Sequence, residues 1–362
     1  MFKRYTARYK RTVRILSIDG GGVRGLIPAF LLHDIYRRIE LRCKSWGRRK
    51  VPRIHEVFDL VAGTSTGGLI ALGLCAPEQH FNHGGESSAE REPPPAPHPA
   101  VTIERIIEIY TRYGSQVFPR WKFNRLRTVL QAFGEKYDAA PYERLLRMLF
   151  GDLRVSEALT NLLITSYDTE RGTPFFFKRR PAHYRRYDDR DFLMRDAARA
   201  ASAAPTFFEP AYIRPVDGHS REFYCLIDGA IFASNPAMSA YIEARKMYPR
   251  ARRFIIVSLG TGKRTRRFTY REMRNWGYID WVSPIKGVPL TAMTTEGGAE
   301  AVNYQLTRLP GVEYYRFNAP LYGASEAMDD ASDENIDALQ GVARRIIEDN
   351  VTTLDNAIGA LL

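Results

Sequence analysis

Cysteine is nearly absent, with Cys43, Cys75 and Cys225 the only three in 362 residues, and no C-x-x-C pair among them. The seven histidines, His33, His55, His80, His83, His98, His183 and His219, are scattered without ligand spacing. These two scarcities exclude a zinc cage and a disulfide framework, so we expect reduced thiols, no metal and no cofactor. Long apolar runs are also missing. The most apolar window, Leu60 to Ala76, is too short and too rich in Gly, Ser and Thr to favour a membrane span, so any membrane contact is expected to be peripheral. Met1 to Arg14 carries Lys3, Arg4, Arg8, Lys10, Arg11 and Arg14 but no apolar stretch, which is not the pattern of a signal peptide. Acidic residues are outnumbered, 41 against 53 basic, for a formal net charge of +12. That balance suits an anionic lipid surface or nucleic acid.

The composition is otherwise that of a chain able to bury a large core, with 44% hydrophobic and 12% aromatic residues. Val13–Ile18, Val57–Ala62, Asn161–Tyr167, Thr173–Lys178, Phe223–Ile227, Arg253–Leu259 and a short stretch near Val312–Phe317 read as strands. Helical spacing follows the first, in Leu26, Ile27, Phe30, Leu31, Ile35 and Ile39, and returns after Ser65, from Thr102, from Trp121 to Phe150, from Phe192 to Ala204, after Asn235-Pro236 and from about Asn335. Strands alternating with helices imply an α/β fold, a mostly parallel central sheet with helices on both faces. We divide the chain into a basic arm (1–12), a catalytic domain (13–320) and a C-terminal helical segment packed on it (321–362). The Pro-rich stretch 77–100 is read as a flexible surface insertion, a passive loop in preference to a gate.

Three motifs fall at strand ends. Gly63-Thr64-Ser65-Thr66-Gly67 has the G-x-S-x-G spacing of a nucleophile elbow, in which a serine on a sharp strand-to-helix turn needs small residues two before and two after it. The following helix points its positive end at Ser65. Asp19-Gly20-Gly21-Gly22-Val23-Arg24-Gly25 lies at another strand-to-helix junction, where exposed amides make an anion site. Asp228-Gly229-Ala230 ends a third strand with a carboxylate able to take a proton. Together they provide the parts for acyl transfer: Ser65 as nucleophile, Asp228 as base, and the amides of Gly20, Gly21 and Gly22 as an oxyanion hole.

This set resembles the patatin-like phospholipases, which show D-G-G-G-x-[RK]-G, G-x-S-x-G and D-G-[AG] in this chain order. Ser202–Phe208 and Asp228–Pro236 also look like family sequence, and the resemblance spans roughly Arg14 to Gly262 and more loosely Asn275 to Leu306. It implies a cytosolic-phospholipase-like, α/β-hydrolase-related single domain, and hydrolysis of phospholipid acyl esters without a metal by a Ser65–Asp228 dyad. It also implies an oxyanion hole in the glycine loop supported by Arg24, with Gly63 and Gly67 shaping the elbow. The stretches Asn275–Trp281 and Val302–Leu306 resemble bacterial stand-alone members that a cyclic dinucleotide activates in anti-phage defence. The expected location is the cytoplasm, peripheral at the inner membrane. The partner is a phospholipid surface and not a nucleic acid polymer, with homo-oligomerisation left open.

Other readings compete. Gly20-x-Gly22-x-x-Gly25 matches a dinucleotide-binding fingerprint by letters, but Glu40 falls inside a helical run where the fingerprint wants an acid at a strand end, and Leu26 stands where a P-loop needs Lys. A non-catalytic lipid-binding protein is opposed by the intact Ser65 and Asp228. Trp276 and Trp281 are assigned to core packing in preference to a lipid interface. Arg179-Arg180 and Arg185-Arg186 are assigned to an exposed basic face, and the basic arm to a solvated tail or to anionic lipid.

Overall fold

The computed structural model describes residues 10–78, 101–113, 137–180, 190–216, 223–283 and 286–362. Most of the basic arm, most of the Pro-rich insertion, the first part of the basic 121–150 region and Arg185-Arg186 lie outside these residues. The sheet holds β1 (Thr12–Ile18), β2 (Leu60–Thr64), β3 (Asn161–Asp168), β4 (Thr173–Arg179), β5 (Ala211–Ile213), β6 (Tyr224–Asp228), β7 (Arg253–Leu259) and β8 (Val312–Phe317). Their order is β5-β6-β3-β2-β1-β7-β8, with β4 also on β3. The run β3-β2-β1-β7-β8 is parallel, whereas β4 and β6 pair with β3 antiparallel, and β5 pairs with β6 antiparallel.

The central strands are buried on both faces, which is why they read as unbroken apolar runs and not as alternating ones. Leu16 and Ile18 of β1, Val61 of β2 and Ile255, Val257 and Leu259 of β7 face one core. Helices α1 (Leu26–Ser45), α2 (Thr66–Cys75), α3 (Ala140–Phe150) and α4 (Met194–Ala201) complete that core. Val13, Ile15, Leu60, Ala62, Phe254 and Ile256 face the other, against α5 (Ala237–Met247) and the end of α6 (Pro289–Leu306). The C-terminal helices α7 (Asp333–Asp349) and α8 (Val351–Leu361) pack on α1, with Arg38 Nη1 3.0 Å from the Asp355 carboxylate.

One strand boundary differs from expectation. Val57 and Phe58 are not in β2, because Ile54–Val57 closes a helical turn in which Glu56 accepts the Arg53 N–H at 2.8 Å. The strand begins after Asp59, whose carboxylate accepts the Arg14 N–H at 2.9 Å and so fastens this turn to β1.

Candidate active site

The elbow is built by close packing. Ser65 links β2 to α2 at φ 53°, ψ −126°, a left-handed backbone that a residue with a side chain adopts only when its surroundings impose it. The two glycines of G-x-S-x-G supply that imposition. A Cβ on Gly63 would overlap the Gly67 carbonyl, and one on Gly67 would overlap the Ile18 carbonyl at the end of β1. Every residue of α2 is buried, so the helix that starts at Ser65 cannot shift to relieve the turn.

Asp228 reaches the same point from the opposite direction. β3 offers one edge to β4 along its length; its other edge pairs with β2 through Thr165, which faces Thr64, and then with β6 from Ser166, which faces Asp228. β2 and β6 therefore meet head-on, and their last residues end side by side. The Thr165 hydroxyl donates to Thr64 Oγ1 at 2.7 Å, and the Thr64 hydroxyl donates to the Ala233 carbonyl at 2.7 Å, tying both strand ends to the turn after Asp228. Gly229 is required there, since a Cβ on it would overlap the Thr165 hydroxyl. The Asp228 carboxylate accepts the Ala230 N–H at 2.8 Å and lies near enough to the Ser65 side chain for the hydroxyl to favour its charged form. Burial pushes its pKa up to about 6, against the opposing pull of those two groups. Among the described histidines, His33 Nε2 lies 3.7 Å from Glu104, and His55 sits in the turn before β2, at the end of that strand away from Ser65. The other five histidines lie outside the described residues.

The glycine loop lies against the elbow: a Cβ on Gly20 would stand 3.1 Å from Ser65 Cβ. Its amides are not equivalent. The Gly20 N–H donates to the Ser234 carbonyl at 3.1 Å, so the expectation that Gly20 supplies an oxyanion donor does not fit this geometry. Among the described residues no acceptor pairs with the N–H of Gly21 or Gly22. Both are aimed by what holds the carbonyl of the same peptide. The Thr261 hydroxyl donates to the Gly20 carbonyl at 2.7 Å, and the backbone N–H and Nε of Arg24 donate to the Gly21 carbonyl at 3.2 and 3.3 Å. In a trans peptide the N–H points opposite to its carbonyl, so Thr261 and Arg24 turn the Gly21 and Gly22 N–H groups away from themselves. Arg24 is buried, and burial together with the Arg264 charge lowers its pKa to about 10, which leaves it charged at neutral pH. Beside the loop, Arg316 of β8 pairs with Asp19, with one N–O distance of 2.8 Å, and also reaches Ser258 Oγ at 2.9 Å. Met328 covers the far side, accepting the Val23 N–H at 2.8 Å.

The sequence reading gives no role to Thr261, Thr165, Ser234, Arg316 or Met328, since each acts by position; Ser234 falls in the family-like stretch Asp228–Pro236 and the other four in no motif. Trp276 and Trp281 overturn their assignment. They lie edge-to-face, 5.4 Å between ring centroids, on a partly exposed surface segment and outside the core clusters. Glu40 lies within α1, so no acid ends the strand that follows the glycine cluster, and the dinucleotide reading loses its ribose partner.

Comparison with known proteins agrees with the motifs. The family model described as patatin-like phospholipase matches residues 16–241. Patatin-like protein 2 of Oryza sativa subsp. indica is 30% identical over 96% of this chain and 87% of its own length. Patatin-like protein 2 of Arabidopsis thaliana is 28% identical over 96% and 86%, and Patatin-17 of Solanum cardiophyllum 26% identical over 97% and 89%. With the family match covering more than half of the chain and the three motifs meeting at one point of the sheet, the chain belongs to the patatin-like phospholipase family of lipid acyl hydrolases.

Proposed function

We propose that the protein is a phospholipase A-type hydrolase that cleaves acyl esters of membrane phospholipids through a Ser65–Asp228 dyad. The observation that carries this reading is the meeting of β2 and β6 on one edge of β3, which sets the Ser65 side chain beside a buried carboxylate whose pKa is pushed up to about 6. A carboxylate near its ordinary ~3.9 is a poor base for a hydroxyl, and the upward shift moves Asp228 toward the pH at which it must work. Ser65 Oγ attacks the ester carbonyl while its proton passes to Asp228. The carbonyl oxygen becomes an oxyanion that the N–H groups of Gly21 and Gly22 receive. Each such donor contributes on the order of 3 kcal/mol to the transition state. Collapse of the intermediate expels the lysophospholipid alcohol, which takes the proton back from Asp228. A water molecule then attacks the acyl-serine with Asp228 again as base, releasing fatty acid and restoring Ser65.

The test is release of free fatty acid from phospholipid vesicles. Wild type should release it, whereas Ser65→Ala and Asp228→Asn should lose turnover by several orders of magnitude. Equal release by Ser65→Ala removes the reading. Activation by a cyclic dinucleotide is a separate part of the proposal, supported by the resemblance of 275–281 and 302–306 to bacterial effectors. Stimulation of release by added cyclic dinucleotide supports it, and an unchanged rate removes it.

A further inference from the structure

Among the described residues of 263–290, several apolar side chains are exposed and lie outside the core clusters. Tyr270 is 81% exposed, Tyr278 83%, Ile279 79% and Leu290 51%, and Val282 is also exposed. The same segment holds a small aromatic cluster. Phe268 meets Trp276 edge-on at 5.2 Å, Trp276 meets Trp281, and Arg266 and Lys286 lie over Phe268 and Trp276 at 4.9 and 4.8 Å. The same stretch holds seven basic residues and two acidic ones. Arg271 and Arg274 are exposed and, among the described residues, carry no ion pair.

The segment is attached to the candidate site at both ends. It leaves the sheet after β7 beside Thr261, which holds the Gly20 carbonyl, and it returns into α6, whose Thr295 carbonyl accepts from Ser234 Oγ at 2.8 Å in the turn after Asp228. Glu326 staples its root. Its carboxylate accepts from the Thr265 N–H at 2.6 Å, the Thr265 hydroxyl at 2.7 Å, the Arg266 N–H at 3.0 Å and Arg264 Nε at 3.2 Å. Although partial burial works against ionisation, these bonds and the Arg264 charge hold its pKa down to about 2. Two residues on, Met328 closes over Gly22.

We infer that the face carrying Tyr270, Tyr278, Ile279 and Leu290, with Arg271 and Arg274, is the surface by which the protein docks on an anionic phospholipid bilayer. The inference rests on the hydrolase reading above for its substrate. Tyr and Trp favour the headgroup boundary, where an apolar ring and a polar tip are both satisfied. Unpaired arginines complement anionic headgroups, and Ile and Leu gain from leaving water. A face of this composition, joined to the glycine loop and the Asp228 turn, brings the site to the lipid without a membrane-crossing element. Among the described residues no helix is long and apolar enough to cross a bilayer.

Co-sedimentation of the full chain with phosphatidylcholine vesicles containing or lacking about 30% phosphatidylglycerol tests this. Turnover of a soluble short-chain ester is followed in parallel. Wild type should bind the phosphatidylglycerol vesicles more tightly, and raised salt should reduce the difference. A Tyr278→Ser/Ile279→Ser pair and an Arg271→Glu/Arg274→Glu pair should each weaken that binding roughly tenfold or more. Both pairs should leave soluble-ester turnover unchanged, since none of the four residues belongs to the candidate site. Variants that bind vesicles as tightly as wild type overturn the inference. So does a wild-type dimer, seen by sedimentation velocity, that the same substitutions split, because the face then belongs to a second copy. Absence of soluble-ester turnover in wild type contradicts the hydrolase reading and leaves the vesicle-binding result to be judged by itself.

Discussion

Thr64 and Asp228 close two strands that run toward each other along a single edge of β3, with Thr165 facing the first and Ser166 facing the second. That head-on meeting brings the carboxylate of Asp228 close to the serine that follows Thr64. The register of β3 sets the alignment, and a one-residue slip of either partner would turn its end residue to the other face of the sheet.

The threonine chain behind the meeting point should matter to stability. Thr64→Val leaves the Ala233 carbonyl without its donor and the Thr165 hydroxyl without its acceptor, both in fully buried surroundings. We expect a loss of about 1–3 kcal/mol in urea unfolding, with a fall in kcat as the Asp228 turn loosens. An unchanged midpoint would show that the chain does not hold the strand ends together.

Strain at the elbow is open to direct measurement. Ser65→Ala removes the hydroxyl and keeps a Cβ at φ 53°. Ser65→Gly removes both, and should unfold at higher denaturant than Ser65→Ala by about 1 kcal/mol, although glycine makes the unfolded chain more flexible. If the alanine variant is the more stable, the turn is not strained. Gly67→Ala should act oppositely, because its methyl group would enter the Ile18 carbonyl; a lowered Tm and poor refolding are expected.

The raised pKa of Asp228 carries a pH signature with a definite sign. An unfolded aspartate loses its proton near ~4, whereas the folded one keeps it to about 6. Between those values the folded chain binds the extra proton, so this group's contribution to stability falls as pH rises and settles above pH 6 at a cost of at most ~3 kcal/mol. Asp228→Asn should therefore raise Tm relative to wild type at pH 8 and do so much less at pH 4. Activity should run the other way, with kcat/KM rising with pH through about 6 as the base ionises. An acid limb near pH 4 would mean that burial does not govern this carboxylate.

Thr261 should influence turnover without touching substrate. Thr261→Val frees the Gly20 carbonyl and with it the Gly21 amide. The expected result is a fall in kcat of about tenfold or more with KM little changed, because the amide is needed mainly in the transition state. A change confined to KM would assign the loop to ground-state binding.

Much of this was legible in the residues. β7 matches the read segment Arg253–Leu259, because two-sided burial demands a continuous apolar run, and the half-buried edge strand β8 matches Val312–Phe317. The elbow was legible because only glycine tolerates the packing at positions 63 and 67. The direction of β6 was not. A strand's own letters do not say which neighbour it pairs with, so its head-on approach to β2 emerges only from β3's register. Trp276 and Trp281 misled for a related reason: size and apolarity favour burial, and a surface cluster of rings under cations has the same composition as a core. The engaged Gly20 amide was hidden as well, since three consecutive glycines carry no sign of which N–H a distant carbonyl will take.

The central claim is that Ser65 is a nucleophile activated by Asp228 alone. The rate of labelling by a serine-directed fluorophosphonate, followed by mapping of the labelled peptide, tests it most directly across pH 4–9. Label on Ser65 is expected, with a rate that rises through about pH 6 in wild type and is far lower in Asp228→Asn, while each His→Gln variant labels like wild type. Label on another serine, or an Asp228→Asn variant that labels as fast as wild type, would contradict the claim.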